Sequence, residues 1–516
     1  MCEEKAEEIF EESFGRWLKE MEVKEERTSE EVWQSWLEMH NKAAEEGIGR
    51  GKGKRIKKRI EGDWDPEINK AVRRKNRLRK LMSERKGEER KKIVEEYKES
   101  RRKVKKLLNS KKKKKQQQLN NKLENYRGKD EKGYWQMLKN LAGLNKKEEK
   151  LPDEVRLGDR RERGEKRKEI WNEAFSKLGK FDLDDKNFNK KDYFEIKEKV
   201  EKWEEEKKER IEGEMDKEIG RSELELAMAK MANGKAAGDD GCINEILKIG
   251  GENFKKALLI LFGKMWQEER VPVDWARGII VPLFKDGEKE NVDNYRGITL
   301  LSVVGKLYTS ILNNRISQYL EKEKKLVEEQ GGFRIKRSTS EQIFILKEVI
   351  LGRRKGRKNT YCCFLDIRKA YDTVFREGLW ESLLVKGIGG KMWRVVKNLY
   401  QEVGSCVRLG GEKTDWFKLD VGLRQGCILS PVLFSVFIDR LAEQVKKVGG
   451  ARYGNIDLSL LLFADDIVLV ADSPKLLQKM LDVVYNYSRR YRFRFNKDKS
   501  NVTIFGKKKN QVKGIN

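Results

Sequence analysis

The sequence predicts an α+β protein in which a mainly helical, basic region precedes a domain of mixed strands and helices. Three observations predict it. Residues 1–215 hold only two prolines, Pro66 and Pro152, and space sparse apolar side chains helically in a charged background. After about residue 216 the charge falls and short apolar runs of strand length appear: Gly278 to Phe284, Tyr361 to Leu365 and Leu460 to Val470. Helix-spaced segments such as Leu301 to Leu320 and Ser340 to Leu351 lie between them. Strand and helix types in alternation define an α/β or α+β domain.

The elements follow in order. Thr28-Ser29-Glu30-Glu31 has capping-box spacing ahead of Val32, Trp33, Trp36 and Leu37, which predicts a helix start. Arg73 to Leu108 is basic, with Leu78, Leu81, Ile93, Val94 and Val104 as its sparse apolar positions. The run KKKKKQQQ, Lys111 to Gln118, reads as a loop or a solvated helix. Tyr134, Trp135, Leu138 and Leu141 mark another amphipathic helix, and Glu162 to Phe175 and Tyr193 to Met215 have the same character. No chemistry is visible in this half.

Charge bounds the partners. The 516 residues carry a formal net charge of +29, unevenly spread. Residues 1–50 hold 7 Lys/Arg against 15 Asp/Glu, a net of −8, whereas residues 51–120 hold 29 against 10, a net of +19. A basic block of that size suits a polyanion, most simply nucleic acid. Six cysteines (Cys2, Cys242, Cys362, Cys363, Cys406 and Cys427) include no Cys-x2-Cys pair, and His40 is the only histidine. That argues against a structural zinc site and against histidine acid–base catalysis. The cysteine spacing, with no secretory leader in this sequence, fits a reducing interior, and Cys362–Cys363 reads as part of a buried strand. No run of 18 apolar residues suggests a membrane span.

The chemistry starts at LLLFADDIVLVAD, Leu460 to Asp472, where Asp465 and Asp466 sit side by side in an apolar segment. Charges out of water are costly unless compensated, and these two also repel. Asp366 has a similar setting, ending the apolar run of YCCFLDIRKAYDTV. Carboxylates at the ends of neighbouring strands can share Mg2+, a hard cation that takes one or two carboxylates plus substrate phosphates. Two such ions can drive a phosphoryl transfer.

Further motifs arrive in a telling order. They are NGKAAGDDGCINEILK (Asn233 to Lys248), IIVPLFKDG (Ile279 to Gly287), NYRGITLLSVVGKLYTSIL (Asn294 to Leu312) and QGGFRIKRSTSEQIFIL (Gln330 to Leu346). FLDIRKAYDTV (Phe364 to Val374), GLRQGCILSPVLF (Gly422 to Phe434), FADD (Phe463 to Asp466) and FNKDKSNVTIF (Phe495 to Phe505) follow. From about Met231 to Gly506 the chain thus resembles the reverse transcriptase of LINE-type (non-LTR) retrotransposons. The last four segments resemble polymerase motifs A, B, C and D.

The resemblance implies a right-hand polymerase with fingers in residues 216–340 and palm in 341–516, preceded by a linker-like helical region in 1–215. The palm should be an antiparallel sheet backed by helices, with the aspartates at one edge. By the same resemblance Asp366 and Asp465 match the main metal ligands and Asp466 a more peripheral carboxylate, holding two Mg2+ ions, with Mn2+ as the other option. Lys285 and Arg296 match basic fingers residues that hold a triphosphate, for which lysine charge and the arginine fork are suited. Tyr371 matches the aromatic that crowds the sugar 2′ position. Gln425 and Gly426 match the motif B turn, Lys499 the motif D lysine proposed to protonate pyrophosphate, and Arg334 an arginine in nucleic-acid or nucleotide contact. Ala237 stands where the family often has proline, and FADD replaces the YADD of many relatives.

The implied reaction is RNA-templated addition of deoxynucleoside triphosphates to a DNA primer 3′-hydroxyl. The implied place is the nucleus, with basic runs such as Lys52 to Arg59 serving as import signals or nucleic-acid contacts. The sequence stops 10 residues past Gly506, so the expected thumb is missing, as is an upstream endonuclease; the resemblance reads as a fragment. Two other readings stay open on the sequence: an inactive remnant that only binds nucleic acid, and a group II intron-type reverse transcriptase with a maturase role.

Overall fold

The structure, a computed structural model, describes residues 2–22, 26–47, 66–84, 87–126, 151–206 and 213–506. Packing sets residues 51–150 apart as one unit and groups the rest into another. Within the first unit the helices Pro66–Glu84 and Gly87–Tyr126 pack on each other. KKKKKQQQ lies inside the second of these, a helix of 40 residues, because lysine and glutamine are good helix formers. The amphipathic segment marked by Tyr134, Trp135, Leu138 and Leu141 and the Lys52 to Arg59 run lie outside the described residues.

In the larger unit, the helices Cys2–Glu22 and Ser29–Gly47 pack together and against the helix Glu252–Glu268. The capping box forms as its spacing predicts: the Thr28 N–H donates to Glu31 Oε2 at 2.8 Å and the Glu31 N–H to Thr28 Oγ1 at 3.3 Å. Trp17, Trp33 and Trp36 are wholly buried in one cluster with Phe254, Phe262 and Trp275. An acidic segment thereby contributes aromatic side chains to the core.

Two expectations need correction. The helix read at Tyr193 to Met215 spans Lys190–Glu206, with Glu214–Asp216 forming a separate 3-10 turn after Gly213 at φ 84°. The helix read at Glu162 to Phe175 begins at Arg167 and runs to Gly179. Ahead of it, β1 (Glu154–Leu157) and β2 (Arg160–Arg163) form an antiparallel hairpin. Gly158, at φ 60°, supplies its turn. The charges of β2 conceal it, since neither face of that strand is buried.

The remaining strands are β3 (Arg277–Phe284), β4 (Tyr295–Leu300), β5 (Thr360–Asp366), β6 (Gly404–Leu409), β7 (Glu412–Lys413), β8 (Phe417–Lys418), β9 (Ala451–Tyr453), β10 (Ile456–Leu458), β11 (Leu460–Phe463), β12 (Asp466–Ala471) and β13 (Asn501–Phe505). One sheet runs β4-β3-β6-β7, with β8 also on β6; β3 pairs antiparallel to β4 and parallel to β6. A second, wholly antiparallel sheet runs β11-β12-β5-β13.

The second sheet is buried on both faces. Cys363, Leu365, Leu460, Leu462, Ile467 and Leu469 enter the main core, where the helices Ser430–Val448 and Pro474–Arg490 cover them. The alternate residues Cys362, Leu461 and Val470 enter a smaller cluster with Val349 of the helix Thr339–Lys355. A strand covered on both sides has no polar alternation, which is why Leu460 to Val470 reads as a continuous apolar run. The fold is the α+β arrangement expected, an antiparallel sheet backed by helices with its aspartates at one edge. Among the described residues no helix is long and apolar enough to cross a membrane.

Candidate active site

The site is built on the hairpin of β11 and β12. Phe463 opposes Asp466, so only Ala464 and Asp465 remain in the turn. Ala464 takes φ 60°, a left-handed conformation that two-residue hairpins usually give to glycine. A brace holds it there. The Leu462 N–H donates to the Glu329 carbonyl at 3.0 Å, and the Gly331 N–H to the Leu462 carbonyl at 2.8 Å, so Glu329–Gly332 runs along the open edge of β11. Gln330 is fully buried and its Oε1 accepts from the Gly332 N–H at 2.8 Å. A Cβ on Gly332 would lie 2.2 Å from the Ala464 nitrogen, and one on Gly331 would lie 2.6 Å from Gln342 Nε2. Of the two glycines in QGGF, Gly332 is the one that meets the turn's backbone, whereas Gly331 meets the end of the Gln342 side chain.

The hairpin brings the three carboxylates to one sheet edge. Asp466 directly opposes Asp366 across the β12–β5 pair, and Asp465 precedes it in the turn. Burial, then the charge of Asp465, then that of Asp366, raise the Asp466 carboxyl above its ordinary value. Motif D is pinned to the same edge: the Asn496 N–H donates to the Asp366 carbonyl at 2.8 Å and the Asp366 N–H to Ser500 Oγ at 3.3 Å. Lys499 stands exposed in this turn, its N–H donating to the Asn496 carbonyl at 3.2 Å. Among the described residues no three acidic, cysteine or histidine side chains close into a metal-ligand cluster. The donor set nonetheless suits a hard divalent cation, being all carboxylate oxygen with like charges held side by side.

The expected nucleotide-binding residues gather nearby. Arg296 opposes Leu283 near the loop end of the β3–β4 pair, and the Lys285 N–H donates to the Asn294 carbonyl at 3.0 Å, so both bases lie at that end of the hairpin and both are exposed. Arg296 Nε donates to Gln425 Oε1 at 3.2 Å, and Gln425 Nε2 donates to Asp372 Oδ1 at 2.6 Å. The motif B turn is fixed to β4, since the Thr299 N–H donates to the Gln425 carbonyl at 3.0 Å. Gly426, at φ 112°, lies so close that a Cβ would meet the Thr299 carbonyl at 2.5 Å. Tyr371 stacks on Phe434 with centroids 5.2 Å apart, and Phe333 meets its edge at 6.4 Å. Burial raises the Tyr371 phenol, and Asp465 adds to the effect.

Other residues around the site are engaged within the chain. Arg334 is occupied within the chain: it forks onto Glu321 at 2.8 and 2.9 Å and donates to the Val327 carbonyl at 2.9 Å. Arg376, which sequence reasoning passed over, is buried and donates to the Gly422, Tyr400, Leu419 and Val421 carbonyls, holding the approach to motif B. Asp372 was also missed, although its place in AYD beside Tyr371 was a usable signal.

Comparison with known proteins bears directly on this arrangement. Residues 287–515 match the family model described as reverse transcriptase (RNA-dependent DNA polymerase). This part of the chain is similar to the reverse transcriptase family. Asp366, Asp465, Asp466, Lys499 and the motif B turn fall inside the matched reverse transcriptase domain, and Lys285 lies two residues ahead of it. Over 290 residues the chain is 26% identical to the RNA-directed DNA polymerase from mobile element jockey of Drosophila melanogaster, covering 55% of this chain and 31% of that protein. Over 224 residues it is 32% identical to the retrovirus-related Pol polyprotein from type-1 retrotransposable element R2 of Popillia japonica, covering 42% and 31%. The chain thus spans about a third of the length of the curated relatives it matches. A solved structure of apo telomerase from Candida tropicalis, truncated from its C-terminal domain, aligns at 17% identity over 46% of this chain and 51% of that one, with a TM-score of 0.36.

Proposed function

We propose that this chain is the RNA-directed DNA polymerase of a non-LTR retrotransposon, with fingers in residues 216–340, palm in 341–516 and a nucleic-acid-binding linker in 1–215. The observation that carries this reading is the opposition of Asp366 to Asp466, with Asp465 in the adjoining turn, inside a reverse transcriptase domain. The oxygen of a DNA primer 3′-hydroxyl bonds to the α-phosphorus of a deoxynucleoside triphosphate. The bond from that phosphorus to the bridging α–β oxygen breaks, pyrophosphate leaves, and the hydroxyl proton passes to solvent. An RNA strand serves as template.

Asp366 and Asp465 would hold Mg2+, with Asp466 at the margin; bound there, the ions polarise the hydroxyl and neutralise the departing charge. Arg296 and Lys285 neutralise the triphosphate, Tyr371 crowds the sugar, and Lys499 supplies a proton to the pyrophosphate. The basic linker adds sequence-independent affinity for nucleic acid. The nucleus is the proposed site of action, where a chromosomal target is met.

Primer extension on an RNA template tests the reading. Purified chain with Mg2+ and deoxynucleotides should extend an annealed DNA primer, and Asp465→Asn should reduce extension by about a thousandfold or more while template binding persists, as expected when charge stabilisation of the transition state is removed. Binding without extension in the unaltered chain would instead identify a remnant.

A further inference from the structure

A cavity of about 520 Å³ lies behind the turn that follows β5, between that turn and the segment around Lys177 to Phe188. Its floor is continuous with the carboxylate edge: Ile367 bridges Phe495, and the Arg368 N–H donates to the Arg494 carbonyl at 2.8 Å. Six cations line it. Lys177, Lys180 and Arg368 are exposed and have no carboxylate partner within the described residues. Lys369 pairs with Asp293 at 3.4 Å, and Arg494 pairs with Asp185. Asp182 is the third carboxylate on the wall, leaving cations in excess by three.

The sixth cation is the most informative. Arg492 is 7% exposed and clasped by aromatic rings, its guanidinium 4.8 Å from both the Phe181 and the Phe188 centroid. Its Nη2 donates to the Asp182 carbonyl, but its buried Nη1 has no hydrogen-bond partner. That nitrogen is sealed under the two rings, so Arg492 contributes charge to the wall while the exposed Lys177, Lys180 and Arg368 contribute the open donors.

We propose that this cavity binds pyrophosphate, the leaving group of the reaction proposed above, on which the assignment rests. Pyrophosphate is small, multiply charged and rich in acceptor oxygens, matching unpaired lysine and arginine donors. Arg368 stands two residues past Asp366, and Lys177 and Lys180 belong to the segment ahead of the family-matched domain.

The test is calorimetric titration of the full chain with sodium pyrophosphate, in parallel with a non-hydrolysable deoxynucleoside triphosphate. Lys177→Ala/Lys180→Ala should weaken pyrophosphate binding by about tenfold, as loss of two charge-assisted contacts would, and leave nucleotide binding unchanged. Lys285→Ala should do the reverse. Circular dichroism should report both variants as folded. Unchanged pyrophosphate affinity in the double variant overturns the proposal, and so does a loss confined to the nucleotide. Because the titration needs no turnover, a chain that never extends a primer refutes the polymerase reading without deciding this one.

Discussion

At the scale of single residues, Asp372 carries the most instructive consequence. An amide such as Gln425 can face either way, but a carboxylate only accepts hydrogen bonds. Asp372 therefore turns Gln425 Nε2 towards itself and leaves Oε1 to receive Arg296 Nε. Among the described residues the terminal nitrogens of Arg296 have no partner, which leaves them for a triphosphate. Asp372→Leu should raise the KM for deoxynucleotide about tenfold, ~1.4 kcal/mol, with kcat within about threefold. Asp372→Asn, which can donate as well as accept, should fall between leucine and the native residue because it no longer dictates the amide's orientation. Steady-state kinetics on a fixed primer–template would check both, and equal losses in kcat would show that Asp372 merely supports folding. The residues of motifs A to D were legible from the sequence because each is local. Asp372 lies in motif A beside Tyr371, but its role needed the fold, since its partner is Gln425, 53 residues away.

At the scale of elements, the β11–β12 hairpin and its brace behave as one unit. Ala464 holds a left-handed conformation at a cost that glycine would not bear. Ala464→Gly should therefore raise the denaturation midpoint, by about 0.5–1 kcal/mol in stability. Gly332→Ala should do the opposite, because its new methyl would meet backbone rather than a movable side chain. A loss of about 1–3 kcal/mol is expected, together with primer extension impaired well beyond what the stability loss explains, since the turn itself must shift. Urea titrations alongside extension assays would separate the two. The continuous apolar runs announced these strands, but the brace left no such mark. Its pairing is backbone to backbone across about 130 residues, and only the doubled glycine hinted that something must pass close by.

At the scale of the whole molecule, charge and core are distributed against expectation. The acidic opening segment shows an apolar-periodic run at Val32, Trp33, Trp36 and Leu37, and its tryptophans fill the core against Phe254 and Trp275. Periodicity revealed the stripe and could not reveal its partner. The basic excess of residues 51–120 should appear as steeply salt-dependent affinity for RNA, with log affinity falling by about 0.7–0.9 per phosphate neutralised for each unit of log salt. Replacing Lys111–Lys115 with glutamine should flatten that slope while leaving the extension rate on saturating template within about twofold, because the substitution preserves helix-forming residues. Filter binding across a salt series would measure it. The two-faced burial of the β11-β12-β5-β13 sheet has one more consequence. Its central amides can exchange with solvent only when both covering layers open, so β5 and β12 should be the last segments to take up deuterium in exchange mass spectrometry. Asp366 and Asp466 would then be the wet ends of the slowest-exchanging strands in the chain.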